Sequence, residues 1–535
     1  MMADWKELPK DGKLLTYLRN ADYISAASDR GAISNIDARV NAEEGLEISH
    51  LLSGAKQRLQ MSDLDPIVGN DRELIAKEQT LFPDLIKRET NPQKVFWWLW
   101  RCLPTAACEA SQDTSLLLMP ADTRIPDTSL WSHTSMTAAL AGASIGYQTT
   151  MAEFDAIPKE DLWYKYHSQP YLVSFSFAPV QDLIKSSRKM RDFWAGSWIL
   201  HYLSAKVSWV LAKKYGADSL LYPSLFEQPL IDLWLLKEYP DFKEWIETPS
   251  TNSLLTAGFP NVLVLVLPKD EVGKGMQTAK QALRETWQEL GDKVFAKVGW
   301  DRDFMSTTNS WDGWLECQWQ HYWTGLPIGN ANNSFKQSYT GEKNNKFFKT
   351  WVSDLNQTYG LRDLDPSLIL KKDEKQYREP NNRELFQPAE LNFLKATSKY
   401  PANSGSWWGY IFDATRLNLT SVKNARNWQL PTVFSTRSTV SGLGAAVHDL
   451  PTDWAQEGKV KEFWKRSNYL FNGSEQLNAT EVVKRGLHHV LPELLGRDDL
   501  AIAYPDLTSG VAGYLKTNND TATAHYSGSR CYEVQ

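Results

Sequence analysis

The chain has 535 residues, 42% hydrophobic and 23% charged, with a formal net charge of -6. That length suits about three or four domains at roughly 150 residues each, and the ordinary composition does not make disorder the default. The acidic balance excludes a uniformly basic, duplex-coating protein, so any nucleic-acid contact must be local or shared with partners.

The N-terminus, MMADWKELPKDGK, has no apolar signal core, and VFWWLWRCL and VLVLVLP are too short to span a bilayer. Four cysteines, Cys102, Cys108, Cys317 and Cys531, form no C-x-x-C pair. Together these features predict a reduced, cytoplasmic protein without a membrane contact; the sequence assigns no role to Cys531.

Along the chain, residues 1–160 read as one mainly helical domain. Within it, KVFWWLWRCLP reads as a helical core in preference to a surface that stacks bases or sugars. A second segment, 161–300, opens with the alternating strand LVSFSFA, and Pro179 then starts a helix predicted to run to about Tyr215. Asp182 with Lys185, and Arg188 with Asp192, are expected as ordinary pairs on its face.

Gly216 stops that helix, SLLYP forms a short second strand, and NVLVLVLP a buried third after an insert. A helix from about Gly273 to Val298 follows. Strand, helix, strand, insert, strand, helix fits a split βαβ, ferredoxin-like unit. Residues 301–535 read as a mainly helical domain, with helices near 383–400 and 475–495; the lysine-rich KNNKFFK and LKKDEKQYREP read as solvated loops. The fold class is α+β.

Few motifs carry chemistry. The loop from LVSFSFA into its helix presents free N–H groups suited to an anion, though any βα junction does so. His448-Asp449 is followed by Leu450-Pro451 and lacks the further His and Asp residues a metal phosphohydrolase needs. His133, in SLWSHTSMTAALAGA, reads as a capping or core residue in preference to a metal ligand. No H-E-x-x-H, Walker A or G-x-G-x-x-G run occurs, nor a G-G-D-D turn.

Taken in order, ADYISAASDR (21–30), KVFWWLWRCLP (94–104), ADTRIPDTSLWSHTSMTAALA (121–141), SFSFAPVQDLIKSSRKMRDFWAGSWILHYL continuing through GADSLLYPSLFEQPLIDLWL, and EQLNATEVVKRGL (475–487) resemble the large subunit of type III-B (Cmr-type) CRISPR effector complexes. The resemblance implies an HD-type nuclease domain, a first palm, a zinc-bearing domain, a second palm with G-G-D-D that makes cyclic oligoadenylate from ATP, and a C-terminal helical domain.

The chain departs from that pattern in three places. KLLTYLRNAD puts Arg19-Asn20 at the His-Asp position, leaving His133 as the vestige of a degenerate HD-like domain and making DNase activity unexpected. The family's two C-x-x-C pairs fall on Ser438 and Ser441, and on Asn478 and Glu481, a set ill suited to zinc, so no zinc is expected. The sequence also carries no G-G-D-D palm, which suggests a split gene or a truncated chain.

The resulting expectation is an assembly subunit with no activity of its own, partnered by other Cmr-type subunits, a second-palm chain, guide RNA and target RNA. ATP with a divalent metal would lie between the two palms. From this side Gln181, Ser186, Arg188, Arg191 and Asp192 would contact it, with Tyr222, Gln228 and Asp232 on the next loop. The alternatives are half of a split cyclic oligoadenylate synthase, completed by a G-G-D-D chain, and a stand-alone Trp-rich ligand-binding protein.

Overall fold

A computed structural model describes residues 18–22, 24–26, 46–49, 54–59, 84–111, 114–121, 128–147, 153, 156, 167–298, 310–329, 408–425, 435–450, 454–466, 471 and 473–500. The helix expected near 383–400, both lysine-rich stretches and Cys531 lie outside these residues. Among the described residues no helix is long and apolar enough to cross a membrane.

A small hairpin, β1 (Leu46–Ser49) and β2 (Lys56–Leu59), precedes the main sheet. That sheet contains β3 (Pro170–Ala178), β4 (Leu220–Tyr222), β5 (Val262–Pro268) and β6 (Gln320–Pro327), antiparallel throughout in the order β4-β5-β3-β6. The alternation in LVSFSFA is a genuine two-faced signal. Val173 and Phe175 lie opposite Leu265 and Leu263 on β5, and with Phe177 they join the main core. Leu172, Ser174 and Ser176 are buried on the other face. Burying a side chain such as Phe175 stabilises by about 1.5–3 kcal/mol.

After a single turn at Asp84–Lys87, the main α-helices in chain order are α1 (Pro92–Trp97), α2 (Leu103–Ser111), α3 (Leu130–Ile145), α4 (Gln181–Lys185), α5 (Met190–Tyr215), α6 (Pro229–Glu238), α7 (Thr251–Leu255), α8 (Lys269–Val298), α9 (Asp312–Cys317), α10 (Trp408–Asn424), α11 (Glu457–Arg466) and α12 (Ala479–Leu495). A π-helical turn, Trp98–Cys102, joins α1 to α2. Helices α5 and α8 pack on each other beside the sheet, α12 packs on both, and α3 and α10 pack on the strands.

α8 buries Val272, Met276, Ala279, Leu283, Leu290 and Val294 at helical spacing. It meets α12 closely at Gly486, where a Cβ would come within 2.5 Å of Val294 Cγ1. α12 starts with a capping box: the Asn478 side chain accepts the Glu481 N–H and the Glu481 carboxylate accepts the Asn478 N–H.

Among the described residues the tryptophans are chiefly interior. Trp97 and Trp98 are fully buried, and Trp97 packs against Trp209 of α5 at 5.4 Å between ring centroids. Trp198 stacks on Tyr202 at 5.1 Å. KVFWWLWRCLP therefore fills a core, and its indoles leave little surface for the sugar-stacking alternative.

Two expectations need correction. The helix expected from Pro179 to Tyr215 is two helices, with Ser186–Lys189 between them and a cis Ala178-Pro179 bond before α4. The cause is external: the carbonyls of Leu183 and Ser186 are taken by a side chain from α12, so they do not continue a helical ladder. The sheet also crosses the boundary expected at 300, because β6 pairs along the whole length of β3 from Tyr171 to Ala178. One apolar cluster runs from Ile86 to Leu500 and so includes side chains from all three expected segments.

Candidate functional site at the strand-to-helix junction

The end of β3 opens onto a cleft of about 540 Å³. Its walls come from Ala178 and Pro179, from Asp182 of α4 and Ser186 just after it, from Trp314 of α9, from Arg437 and Leu443 on the 435–445 turn, and from Thr480 and Lys484 of α12. The volume and the mixture of apolar walls with a few polar groups suit a small ligand or an inserted side chain.

Two basic residues of α12 hold the junction on opposite sides. The Lys484 ammonium donates to Leu183 O and Ser186 O, both at 2.6 Å, and to Ser187 Oγ at 2.7 Å, so all three of its protons have acceptors. Burial pulls its pKa down to about 8. Gly196 of α5 admits this approach, since a Cβ there would lie 3.2 Å from Ile184 Cα and 3.3 Å from Leu183 O.

Arg485 binds Asp192 of α5 through Nε at 2.9 and 3.0 Å and through Nη2 at 2.6 Å; its Nη1 donates to Glu475 at 2.7 Å. Burial opposes the Arg485 charge, but Asp192 and Glu475 outweigh it and keep the guanidinium more basic than usual. Burial likewise opposes the Glu475 charge, and Arg485 overcomes it, leaving that carboxyl below its ordinary range. A third strut runs from the Arg188 guanidinium to Thr439 O.

The residues expected at a nucleotide contact fall into two groups. Gln181, Ser186, Arg188, Arg191 and Asp192 do lie together at the junction, and Ser186 lines the cleft. Gln181 and Arg188 are exposed. Arg191 is part-buried, and burial together with neighbouring Arg485 lowers its pKa. The Arg188–Asp192 pair expected on one helix face is replaced, because Arg188 precedes α5 and Asp192 turns inward to Arg485.

Tyr222, Gln228 and Asp232 sit apart from that cleft, around the loop from β4 to α6. Tyr222 is exposed at the end of β4, and Gln228 is the residue before the first turn of α6. Asp232 is buried and accepts two bonds from Arg101, Nε and Nη2 at 2.8 Å each. Burial works against the Arg101 charge, yet the Asp232 hydrogen bonds keep its pKa raised. Phe226 covers that guanidinium at 4.8 Å.

His133 is the fourth residue of α3, whose cap is Ser129, so it does not cap the helix. Its Nε2 lies 2.9 Å from Asp22 Oδ1 and its Nδ1 3.1 Å from Ser25 Oγ. His448 is fully buried, and its Nδ1 accepts the Leu450 N–H at 3.3 Å. Among the described residues no three His, Cys, Asp or Glu side chains are grouped as a metal would require.

Ser438, Ser441, Asn478 and Glu481 do converge, where the 438–444 turn meets the start of α12. Two hydroxyls, an amide and one carboxylate, already bonded to one another and to backbone, do not fit zinc, which favours thiolate and imidazole in a closed tetrahedron. Lys484 and Arg485 were missed by sequence reasoning although both stand in EQLNATEVVKRGL; adjacent cations in the middle of a strongly capped helix were the available signal.

The family profile described as CRISPR-associated protein Cmr2, N-terminal, matches residues 172–292, which hold β3 to α8 except for the first two residues of β3 and the last turn or so of α8. The CRISPR system Cmr subunit Cmr2 of Pyrococcus furiosus is 28% identical over 172 residues, covering 32% of this chain and 16% of that protein. Among solved structures, an apo type III-B Cmr-beta complex aligns with 92% of this chain and 48% of its own, at 16% identity and a TM-score of 0.46. The same complex bound to cognate target RNA aligns with 89% and 46%, at 16% identity and a TM-score of 0.44. The chain thus spans under half of these relatives' lengths, and the segment that builds the junction, residues 172–292, is Cmr2-like.

Proposed function

We propose that this chain is a subunit of a type III-B, Cmr-type CRISPR effector complex, its β3-to-α8 unit serving as a ferredoxin-like palm that docks against a second palm and neighbouring subunits. The observation that carries this reading is that the Cmr2 N-terminal match covers nearly all of β3 to α8, three of the four strands of the main sheet with the two long helices that pack beside it, while β6 lies beyond the match. Strand, helix, strand, strand, helix, strand along the chain with β4-β5-β3-β6 in space supports it, being the order of a split βαβ pair.

In this reading sequence recognition belongs to guide-RNA pairing, and protein contacts read backbone and shape. The exposed Gln181 and Tyr222, and Arg188 where it is not engaged by Thr439 O, would be the side chains to meet a nucleotide, a phosphate or a partner near the ends of β3 and β4. Asp192 and Asp232 act indirectly, by holding Arg485 and Arg101. ATP with a divalent metal would be shared with a G-G-D-D palm, and this reading gives zinc no part.

Co-expression with companion Cmr-type subunits and a guide RNA tests the proposal. The expected result is one particle, eluting as a complex, that contains this chain and retains matched target RNA. A chain that elutes alone from the same mixture contradicts it. Labelled ATP added to the particle separates the two catalytic readings: cyclic oligoadenylate that disappears when the partner's paired aspartates are changed makes the complex a split synthase, and absence of product leaves this chain as an assembly subunit.

A further inference from the structure

The turn 438–444 and the first turn of α12 are joined around a single carboxylate. Ser438 Oγ donates to Glu481 Oε2 at 2.5 Å, which also accepts the Asn478 N–H at 3.0 Å. Glu481 Oε1 accepts the Ser441 N–H at 3.2 Å. Ser438 Oγ in turn accepts the N–H groups of Val440 and Ser441 at 3.1 and 3.3 Å. On the other side Asn478 Nδ2 donates to Leu443 O at 2.9 Å, and the Thr439 N–H donates to Gln476 O at 2.8 Å.

Every element of a cross-link is present: two tight turns, each offering positions three residues apart, and one buried charged group at the centre that both turns bind. Gly442 and Gly444, at φ 69° and 67°, let the first turn close. Ser438, Asn478 and Glu481 are all buried, and hydrogen bonds to a charged acceptor in such a place are the strong kind. Ser441, Asn478 and Glu481 also form part of the cleft wall.

We propose that Glu481 is the centre of a metal-independent staple, which fixes the 438–444 turn to α12 and thereby sets one wall of the cleft, in the place where two pairs of metal ligands would otherwise make the cross-link. The staple needs no ion, because the carboxylate supplies the charge and both turns supply donors. Nor does it need an oxidant or reductant, since no thiol takes part. Chelators and thiol reagents therefore leave this wall intact.

The test uses the full chain. After purification from zinc-supplemented medium, elemental analysis should find far less than one zinc per chain, and excess EDTA should leave Tm unchanged. In hydrogen exchange, Glu481→Gln should speed the Ser441 and Asn478 amides by about tenfold or more while β5 amides keep their rates. Ser438→Ala, a milder change, should accelerate Val440 and Ser441 and leave Asn478 slower than in the Gln variant, which keeps the test informative if Glu481→Gln does not fold. Stoichiometric zinc whose removal lowers Tm overturns the proposal. So does unchanged exchange at Ser441 and Asn478 in Glu481→Gln, or at Val440 and Ser441 in Ser438→Ala.

Discussion

Replacing Arg485 with Met removes four hydrogen bonds at once and leaves two carboxylates behind. Asp192 and Glu475 are buried and receive those bonds at 2.6–3.0 Å. Breaking a buried pair by deleting one partner costs about 3–5 kcal/mol, because the remaining charge is uncompensated. That is a large part of the roughly 5–15 kcal/mol that holds a domain folded.

Urea unfolding followed by tryptophan fluorescence reads the loss as a lower midpoint. The double variant Arg485→Met with Asp192→Asn removes the nearer charge and should recover a substantial part of it. The pH dependence has a definite sign. Glu475 in the intact protein has a lowered pKa, so its contribution is present above the unfolded value and is lost as pH falls through the folded value. The gap between Arg485→Met and the intact protein should therefore narrow in acid. A loss under about 1 kcal/mol, the value of an exposed pair, would refute the reasoning.

Three further outcomes follow from the same packing. Lys484→Met strips the acceptors Leu183 O and Ser186 O of their donor, at about 1–3 kcal/mol for each buried group left unpaired; hydrogen exchange should show faster amides confined to the α4–α5 junction. Gly486→Ala drives a methyl to 2.5 Å from Val294 Cγ1, and such overpacking costs about 1–3 kcal/mol; a thermal melt should show the loss, and Val294→Ala in the same chain should return part of it. His201, buried, accepts the Gly258 and Phe259 N–H groups at Nδ1 and is held neutral by burial, its pKa lowered from 6.5 to about 4. The unfolded chain then binds more protons below pH 6.5, so stability falls from there to about pH 4, by roughly 3 kcal/mol at 1.36 kcal/mol per unit. Melts of His201→Asn across the same range should lack that component.

Much of the sheet was legible because its signals are local. LVSFSFA alternates because β3 has two faces, VLVLVLP is apolar throughout because β5 is buried along most of its length, and Gly216, at φ 94°, ends α5 where the pattern stops. β6 was not legible: QHYWTGLP mixes polar, aromatic and glycine residues, and only its pairing along β3 makes it a strand. The break between α4 and α5 is hidden for a different reason. Its cause, Lys484, lies 298 residues from Ser186, and no window on SFSFAPVQDLIKSSRKMRDFW contains it. The same distance conceals the partner of Asp192, so Arg188, four residues away, looked like the natural choice.

The central claim, that the Cmr2-like segment makes this chain part of an RNA-guided complex, is tested most directly by native affinity purification of the full chain from cells carrying its own locus, with mass spectrometry and RNA sequencing of what is retained. The account predicts companion Cmr-type subunits and a population of small guide RNAs of CRISPR origin. Recovery of the folded chain with neither contradicts it.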